Sequence, residues 1–421
     1  MNYKSWLWEK KKQVEKDIAA VLHKLDEISE HNHLKVLAAF SKNRVSEYHF
    51  QGTTGYGYHD LGRETLENVF ADVFGTEKAL VRPQIVSGTH AIALALFGVL
   101  RPGDELICAA GAPYDTLEEV IGTRGEHGGS LRAWGITYRE IPLTAAGEVD
   151  AEALARAISA KTKMVSIQRS RGYNLRPSLS VANIKKIIDL VHGINPQIVC
   201  FVDNCYGEFV ECREPSNVGA DLIAGSLIKN PGGGLAPLGG YLAGKAELID
   251  LAAARLTAPG IAGAVGSSPY GYRLLFQGLF LAPHIVSEAL KGAVFTARIL
   301  SDLGFQTTPL FDAARTDIIQ AVQLGSPERM VAFCRGLQRF SAVDAHVTPE
   351  PSGMPGYGDE VVMAGGTFVQ GATIEFGADG PLRPPYVMYL QGGLSQTYVK
   401  AGILGAIQEL DDLGLLNTPL K

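Results

Sequence analysis

Through the first segment of the chain, to about residue 43, apolar side chains recur at helical spacing: Val14, Ile18, Val21, Leu22, Leu25 and Ile28, with Lys and Glu between them. The pattern predicts an amphipathic arm that either packs on its own core or grips a second subunit. From Lys78 onward the pattern changes. Strand-like apolar runs at 79–81, 106–109 and 164–167 alternate with helix-like ones at 90–99, 117–121 and 184–191, which argues for a parallel sheet covered by helices. Residues 198–202 form a nearly pure β-branched and aromatic run, as in a strand buried on both faces, and it ends at Asp203. The C-terminal ends of such strands are where open α/β sheets bind ligands. A helix over 246–256, a Gly- and Ser-rich connection at 260–268 and a long helical stretch over 283–303 follow, the last read as the domain crossing. Beyond Asp317 the chain reads as strand, helix (327–340), strands near Val361 and over 367–376, and a helix after Ser395, the makeup of a small α+β domain.

The bulk numbers narrow the function classes. With 421 residues, 46% hydrophobic and 19% charged, the chain has the balance of a soluble protein large enough for two domains. A net charge of -6 gives no global basic field for nucleic acid. Five cysteines without a C-x-x-C pair fit reduced thiols and a cytoplasmic location. The most apolar run, 274–286, is interrupted by Gln277 and His284 and reads as a buried helix too short to span a bilayer.

Three stretches carry candidate chemistry. Ser87-Gly88-Thr89-His90 follows a strand-like run and opens an apolar helix. A helix start offers free N–H groups and a positive dipole end, Gly88 permits close approach, and the hydroxyls of Ser87 and Thr89 can donate, so a phosphate can sit there. An ordinary N-cap uses the same residues. The second stretch is Phe201-Val202-Asp203-Asn204-Cys205-Tyr206; the third is Ser226-Leu227-Ile228-Lys229-Asn230-Pro231, followed by three glycines. A carboxylate keeps a pyridine nitrogen protonated, and a lysine amine forms an imine with an aldehyde. Ser226 adds a phosphate contact. Singly, Asp203 and Lys229 read equally as a structural ion-pair residue and a surface lysine, and the glycines as turn formers. Competing motifs fail: the P-loop-like 239–245 ends at Ala246 where a hydroxyl residue is needed, Gly55-x-Gly57-x-x-Asp60 lacks its last glycine, and no H-E-x-x-H or Cys/His cluster suggests a metal.

Taken together and in this order, the stretches resemble those of pyridoxal-5'-phosphate (PLP) enzymes of the aspartate-aminotransferase fold, fold type I. Val202 to Tyr206 resembles the V-D-N-T-Y segment of the cystathionine and methionine γ-lyase family; Ser226 to Lys229 with Gly239-Gly240-Tyr241 resembles its S-x-x-K…G-G block, and Ser87-Gly88 its phosphate turn. Over nearly its full length the chain is similar to the aluminium-resistance or methionine γ-lyase-like group, whose characteristic segments begin here at Gly55, Leu274 and Tyr389. The resemblance implies a large, mostly parallel seven-stranded sheet domain and a small α+β C-terminal domain. It divides the chain into an arm and dimer-contact segment (1–60), a PLP-binding domain (61–282), and a linking helix with the small domain (283–421).

The same resemblance assigns roles. PLP is expected as a Schiff base on Lys229, Asp203 facing its ring nitrogen. Tyr114 is implied to stack on the ring and to protonate a leaving group. Tyr56 or Tyr58 is implied to enter a neighbouring subunit's phosphate site, which calls for a homodimer or homotetramer. Arg171 falls near the asparagine that γ-lyases set against the cofactor's phenolic oxygen. One departure stands out: where γ-lyases carry a substrate-binding arginine, this chain has Tyr389, and Arg383 is the substitute offered. The expected reaction is β- or γ-elimination on a sulfur-containing amino acid. An aminotransferase, an aldolase and a non-catalytic PLP-binding regulatory protein remain the alternatives.

Overall fold

The computed structural model describes residues 3–125, 128–354 and 358–416. In the large domain the chain order is α1 (Ser5–Asp17), α2 (Ala19–Lys42), α3 (Leu61–Phe74), β1 (Lys78–Arg82), α4 (Gly88–Val99), β2 (Glu105–Cys108), α5 (Asp115–Ile121), β3 (Thr137–Glu140), α6 (Ala151–Ala157), β4 (Thr162–Gln168), α7 (Val181–Ile194), β5 (Val199–Asp203), β6 (Leu222–Ser226), β7 (Gly240–Gly244) and α8 (Ala246–Leu256). Strands β1 to β7 form one seven-stranded sheet in the order β1-β7-β6-β5-β4-β2-β3. Only β7 runs against its neighbours, so the sheet is mostly parallel. Every residue of β5 is buried, as its apolar run requires.

The arm is two helices meeting at Ile18. It packs on its own core, burying Leu7, Val14, Ile18, Leu25 and Val36, while Leu34 and Leu37 stay exposed. Helix α9 (Arg273–Asp302) merges two segments that the sequence pattern separated, 274–286 and 283–303, into one helix with Pro283 inside it. An interior proline costs about 3 kcal/mol; burying Leu279, Ile285, Val286, Leu290 and Val294 on the same helix outweighs it.

After α9 come β8 (Gln306–Thr308), β9 (Gln320–Gln323), α10 (Pro327–Gln338), β10 (Val361–Ala364), β11 (Gly377–Pro381), β12 (Val387–Gln391) and α11 (Gln396–Asp412). The five strands form an antiparallel sheet, β10-β11-β12-β9-β8. The strand expected over 367–376 is not there. That segment is a turn closed by the Glu375 carboxylate, which accepts the N–H groups of Phe368 at 2.7 Å and Val369 at 2.9 Å, and the strand begins at Gly377.

The glycines after Lys229 do more than turn the chain. A Cβ on Gly232 would stand 1.7 Å from the Leu227 carbonyl, and one on Gly233, at φ +54°, would stand 2.4 Å from the Gly278 carbonyl on α9. Backbone therefore lies directly on backbone, and the Lys229 turn is clamped against the helix that leads to the small domain.

Candidate active site

The ends of β4, β5 and β6 and the start of α4 converge. Ser87 caps α4, its hydroxyl accepting the His90 N–H at 3.0 Å. The N–H groups of Gly88 and Thr89 lie in the first turn, where no helical carbonyl reaches them. A Cβ on Gly88 would be 3.3 Å from Ser226 Cβ and 3.5 Å from Cys205 Sγ, so the turn, β6 and the residue after β5 enclose one small cradle. Thr89 Oγ1 is engaged, accepting from the Tyr114 hydroxyl at 3.0 Å.

Asp203 ends β5 in register with Gln168 of β4. It is 6% exposed, and Oδ1 accepts the Cys205 N–H at 3.1 Å. Among the described residues no lysine or arginine forms an ion pair with it. Burial pushes its carboxyl up, against the pull of Lys229 and the hydrogen bonds from Cys205. Lys229 places Nζ 4.0 Å from the centroid of the Tyr206 ring. Burial works to lower the lysine pKa, and the acidic groups Cys205, Tyr206, Asp203 and Tyr114 around it outweigh that and raise it. Tyr114 donates its backbone N–H to Gln168 Oε1 at 3.2 Å, and burial raises its hydroxyl above the ordinary value, so the proton stays on it.

The structure thus brings Ser87, Gly88, Thr89, Tyr114, Asp203, Ser226 and Lys229 together. Arg171 is 1% exposed and leans to the small-domain side, with Nη1 donating to Thr308 O at 3.0 Å. Arg383 stands apart, half exposed and paired with Asp359 at 3.1 Å, on the rim of a cavity of about 200 Å³ that Tyr173 and Tyr389 also line. Tyr56 and Tyr58 are 69% and 58% exposed with their rings 5.5 Å apart. Arg63 fixes their loop by donating to Gly57 O at 2.7 Å.

Two residues of this cluster carried no signal of their own in the sequence, Tyr206 beside Lys229 and Gln168 beside Asp203 and Tyr114. Tyr206, held at φ +71° right after Cys205, was visible only as the end of the V-D-N-C-Y segment; Gln168 became visible once β4 and β5 were in register. Behind the site, Glu208 is fully buried, with Oε1 accepting from the Tyr241 hydroxyl at 2.8 Å and Oε2 without a partner. Burial raises its carboxyl from 4.5 to about 8. The folded protein therefore holds a proton there that the unfolded chain releases, and stability falls as pH rises across that interval. The Glu208→Gln variant should lose stability less steeply than the parent over this range, by up to ~1.4 kcal/mol per pH unit, read from denaturant unfolding at successive pH values; parallel curves would contradict a neutral Glu208.

A mostly parallel seven-stranded sheet with a lysine turn after β6, a carboxylate ending β5 and a small antiparallel domain defines the class: the fold is that of fold type I PLP-dependent enzymes. The family model described as methionine gamma-lyase matches residues 7–411, and the chain belongs to that family. It is 57% identical over 399 residues to the Bacillus subtilis protein YnbB, covering 94% of this chain and 95% of that one. A solved Listeria monocytogenes structure, described as a candidate cystathionine beta-lyase involved in aluminium resistance, is 54% identical, with a TM-score of 0.94 over 96% of this chain and 99% of that one. A Clostridium novyi structure, described as a carbon-sulfur lyase involved in aluminium resistance, is 46% identical, with a TM-score of 0.93 over 97% and 96%. No helix among the described residues is long and apolar enough to cross a membrane.

Proposed function

We propose that this chain is a PLP-dependent carbon–sulfur lyase that eliminates a thiol from a sulfur-containing amino acid by β- or γ-cleavage, with Lys229 as the cofactor's covalent attachment point. The observation that carries the reading is Asp203: a buried carboxylate with no cationic side chain paired to it among the described residues, at a strand end that it shares with a buried lysine. Such a carboxylate fits a protonated pyridine nitrogen. The cradle that a Cβ on Gly88 would crowd fits a phosphate, received by the Gly88 and Thr89 N–H groups and the Ser87 and Ser226 hydroxyls.

When bound, PLP supplies the electron sink that makes the α-proton of an amino acid removable. Asp203 holds a proton on the ring nitrogen. Lys229 Nζ serves as the base at the α-carbon, and the Tyr206 ring beneath it limits the directions in which the amine can move. Tyr114 would cover the cofactor ring and keep water out, and its protonated hydroxyl, now donated to Thr89 Oγ1, would be the proton source for the departing sulfur. Tyr56 and Tyr58, exposed on this protomer, suit a second copy's phosphate seat, so the working form is a homodimer or a pair of them. The names of the Listeria and Clostridium relatives support carbon–sulfur chemistry.

The test is product analysis with PLP-supplemented protein and L-methionine, L-cystathionine or L-cysteine. Thiol, ammonia and 2-oxo acid should form in equal amounts from at least one of them. Oxo acid without thiol or ammonia would identify an aminotransferase instead, and no product from a cofactor-loaded sample would leave a binding module.

A further inference from the structure

Among the described residues the other buried arginines are matched by acids or, for Arg176, by the backbone carbonyls of Pro177 and Gln168 at 3.0 Å each. Arg82 lies 3.1 Å from Glu67, and Arg169 reaches Glu211 at 2.8 Å and Glu214 at 3.3 Å. Arg171 and Arg315 break the pattern. They are 1% and 7% exposed, and neither forms an ion pair among the described residues. Asp317, the acid nearest in charge influence, commits its oxygens to backbone: Oδ2 accepts the Arg171 N–H at 3.2 Å and Oδ1 the Ile319 N–H at 3.0 Å. Arg171 Nη1 donates to Thr308 O at 3.0 Å, and Arg315 Nη2 to Gln320 Oε1 at 2.8 Å. Arg171 Nε, Arg315 Nε and Arg315 Nη1 are buried without a hydrogen-bond partner; Arg63, Arg82 and Arg169 also carry such donors, so what sets this pair apart is idle donors together with the missing acid. Buried cations with idle donors are an arrangement folding avoids unless an anion completes it.

The pair lies beside the cofactor seat. Arg171 is on the loop after β4, just past Gln168, which is Asp203's register partner. Tyr206, whose ring lies under Lys229, accepts the Ile318 N–H at 3.2 Å and packs with Tyr173 against Ile319, Ala321 and Tyr389. Tyr389 occupies the place of the γ-lyase arginine, and the charges of both Arg171, from the buried side, and Arg383, from the rim, act on its hydroxyl.

We infer that Arg171 and Arg315 hold the α-carboxylate of the amino-acid substrate, supplying from two loops the cation that residue 389 lacks. This rests on the reading of the site as a PLP enzyme. It assigns Arg171 to substrate and not to the cofactor's phenolic oxygen, and it displaces Arg383, whose exposed guanidinium is already shared by Asp359 and water. Two guanidiniums from separate loops, close enough for the Arg171 charge to act on Arg315, suit a carboxylate, which takes a hydrogen bond on each oxygen.

The test uses L-alanine, which has no leaving group to eliminate, and L-alaninamide, which differs in lacking the carboxylate. Binding to the holoprotein is measured by calorimetry, with the cofactor's visible band as an independent readout. Arg315→Gln should weaken L-alanine by about 10–100-fold, leave L-alaninamide unchanged, and leave the visible band in place. Arg315→Lys, which keeps the charge but not the fork, should recover part of the loss; it also serves if the glutamine variant does not fold. Arg383→Gln should change neither ligand more than about twofold. Equal weakening of acid and amide would make the pair structural, and selective weakening by Arg383→Gln would move the carboxylate to the rim; either overturns the inference. Absence of the visible band in the parent protein would overturn the PLP reading and this inference with it; a normal band with unselective weakening would overturn the inference and leave the PLP reading standing.

Discussion

Protein carrying Lys229→Ala, purified with added PLP, should lack the visible band that borohydride reduces in the parent, and its lyase turnover should fall by at least about 10⁴-fold. The first effect is covalent: no amine remains at the seat to hold the aldehyde. The second follows because in the proposed reaction the same nitrogen is the base at the α-carbon, and a positioned acid–base group contributes roughly 10²–10⁴-fold by itself. Among the described residues no other lysine stands ready to replace it. Lys35, partly buried, lies over the Phe209 ring and 3.9 Å from Glu214, and Lys245 is held by Asp221 at 2.7 Å. The fold should survive, since the Gly232 and Gly278 contact that clamps the turn is made by backbone. A variant that keeps the borohydride-sensitive band would place the cofactor elsewhere and remove the basis of the proposed function.

How much of this was legible in the sequence depended on how local the determining forces are. β5 was legible because a strand buried on both faces needs an unbroken apolar run, and 198–202 supplies one. Helix α8 was legible at both ends, Ala246 and Leu256, because one face of it is apolar. β11 was not. Its sequence, Gly-Ala-Asp-Gly-Pro, has no β-forming residue, because a Cβ on Gly380 would stand 2.3 Å from the Val387 carbonyl; the alternating 367–376 segment beside it imitated a strand. The continuity of α9 through Pro283 was hidden for the opposite reason, a local signal overruled by packing. In the site, residue types and order pointed to Ser87, Asp203, Ser226 and Lys229, but only folding places Gly88 against Ser226. Arg315 carried no sequence signal, since its oddity is the acid it does not have.

Replacing Asp203 with asparagine keeps the shape of the side chain and deletes its charge, and the sign of the effect should depend on whether PLP is present. In the parent protein without cofactor, burial holds the Asp203 carboxyl above its ordinary value. The folded chain then binds more protons than the unfolded one over the interval between the two values, so stability falls as pH rises through it. Asp203→Asn has no such cost, and without cofactor it should be the more stable of the two at pH above that interval. With PLP bound, the order should reverse. The carboxylate then faces a cation, and breaking a buried charge pair costs about 3–5 kcal/mol, which at 1.36 kcal/mol per decade is on the order of 10²–10³-fold in cofactor affinity or turnover. Thermal unfolding of both proteins with and without PLP, together with turnover, measures the reversal. If Asp203→Asn were less stable in both states by the same amount, Asp203 would be a structural acid. If the variant kept full turnover, no charge at the end of β5 would be needed for the chemistry.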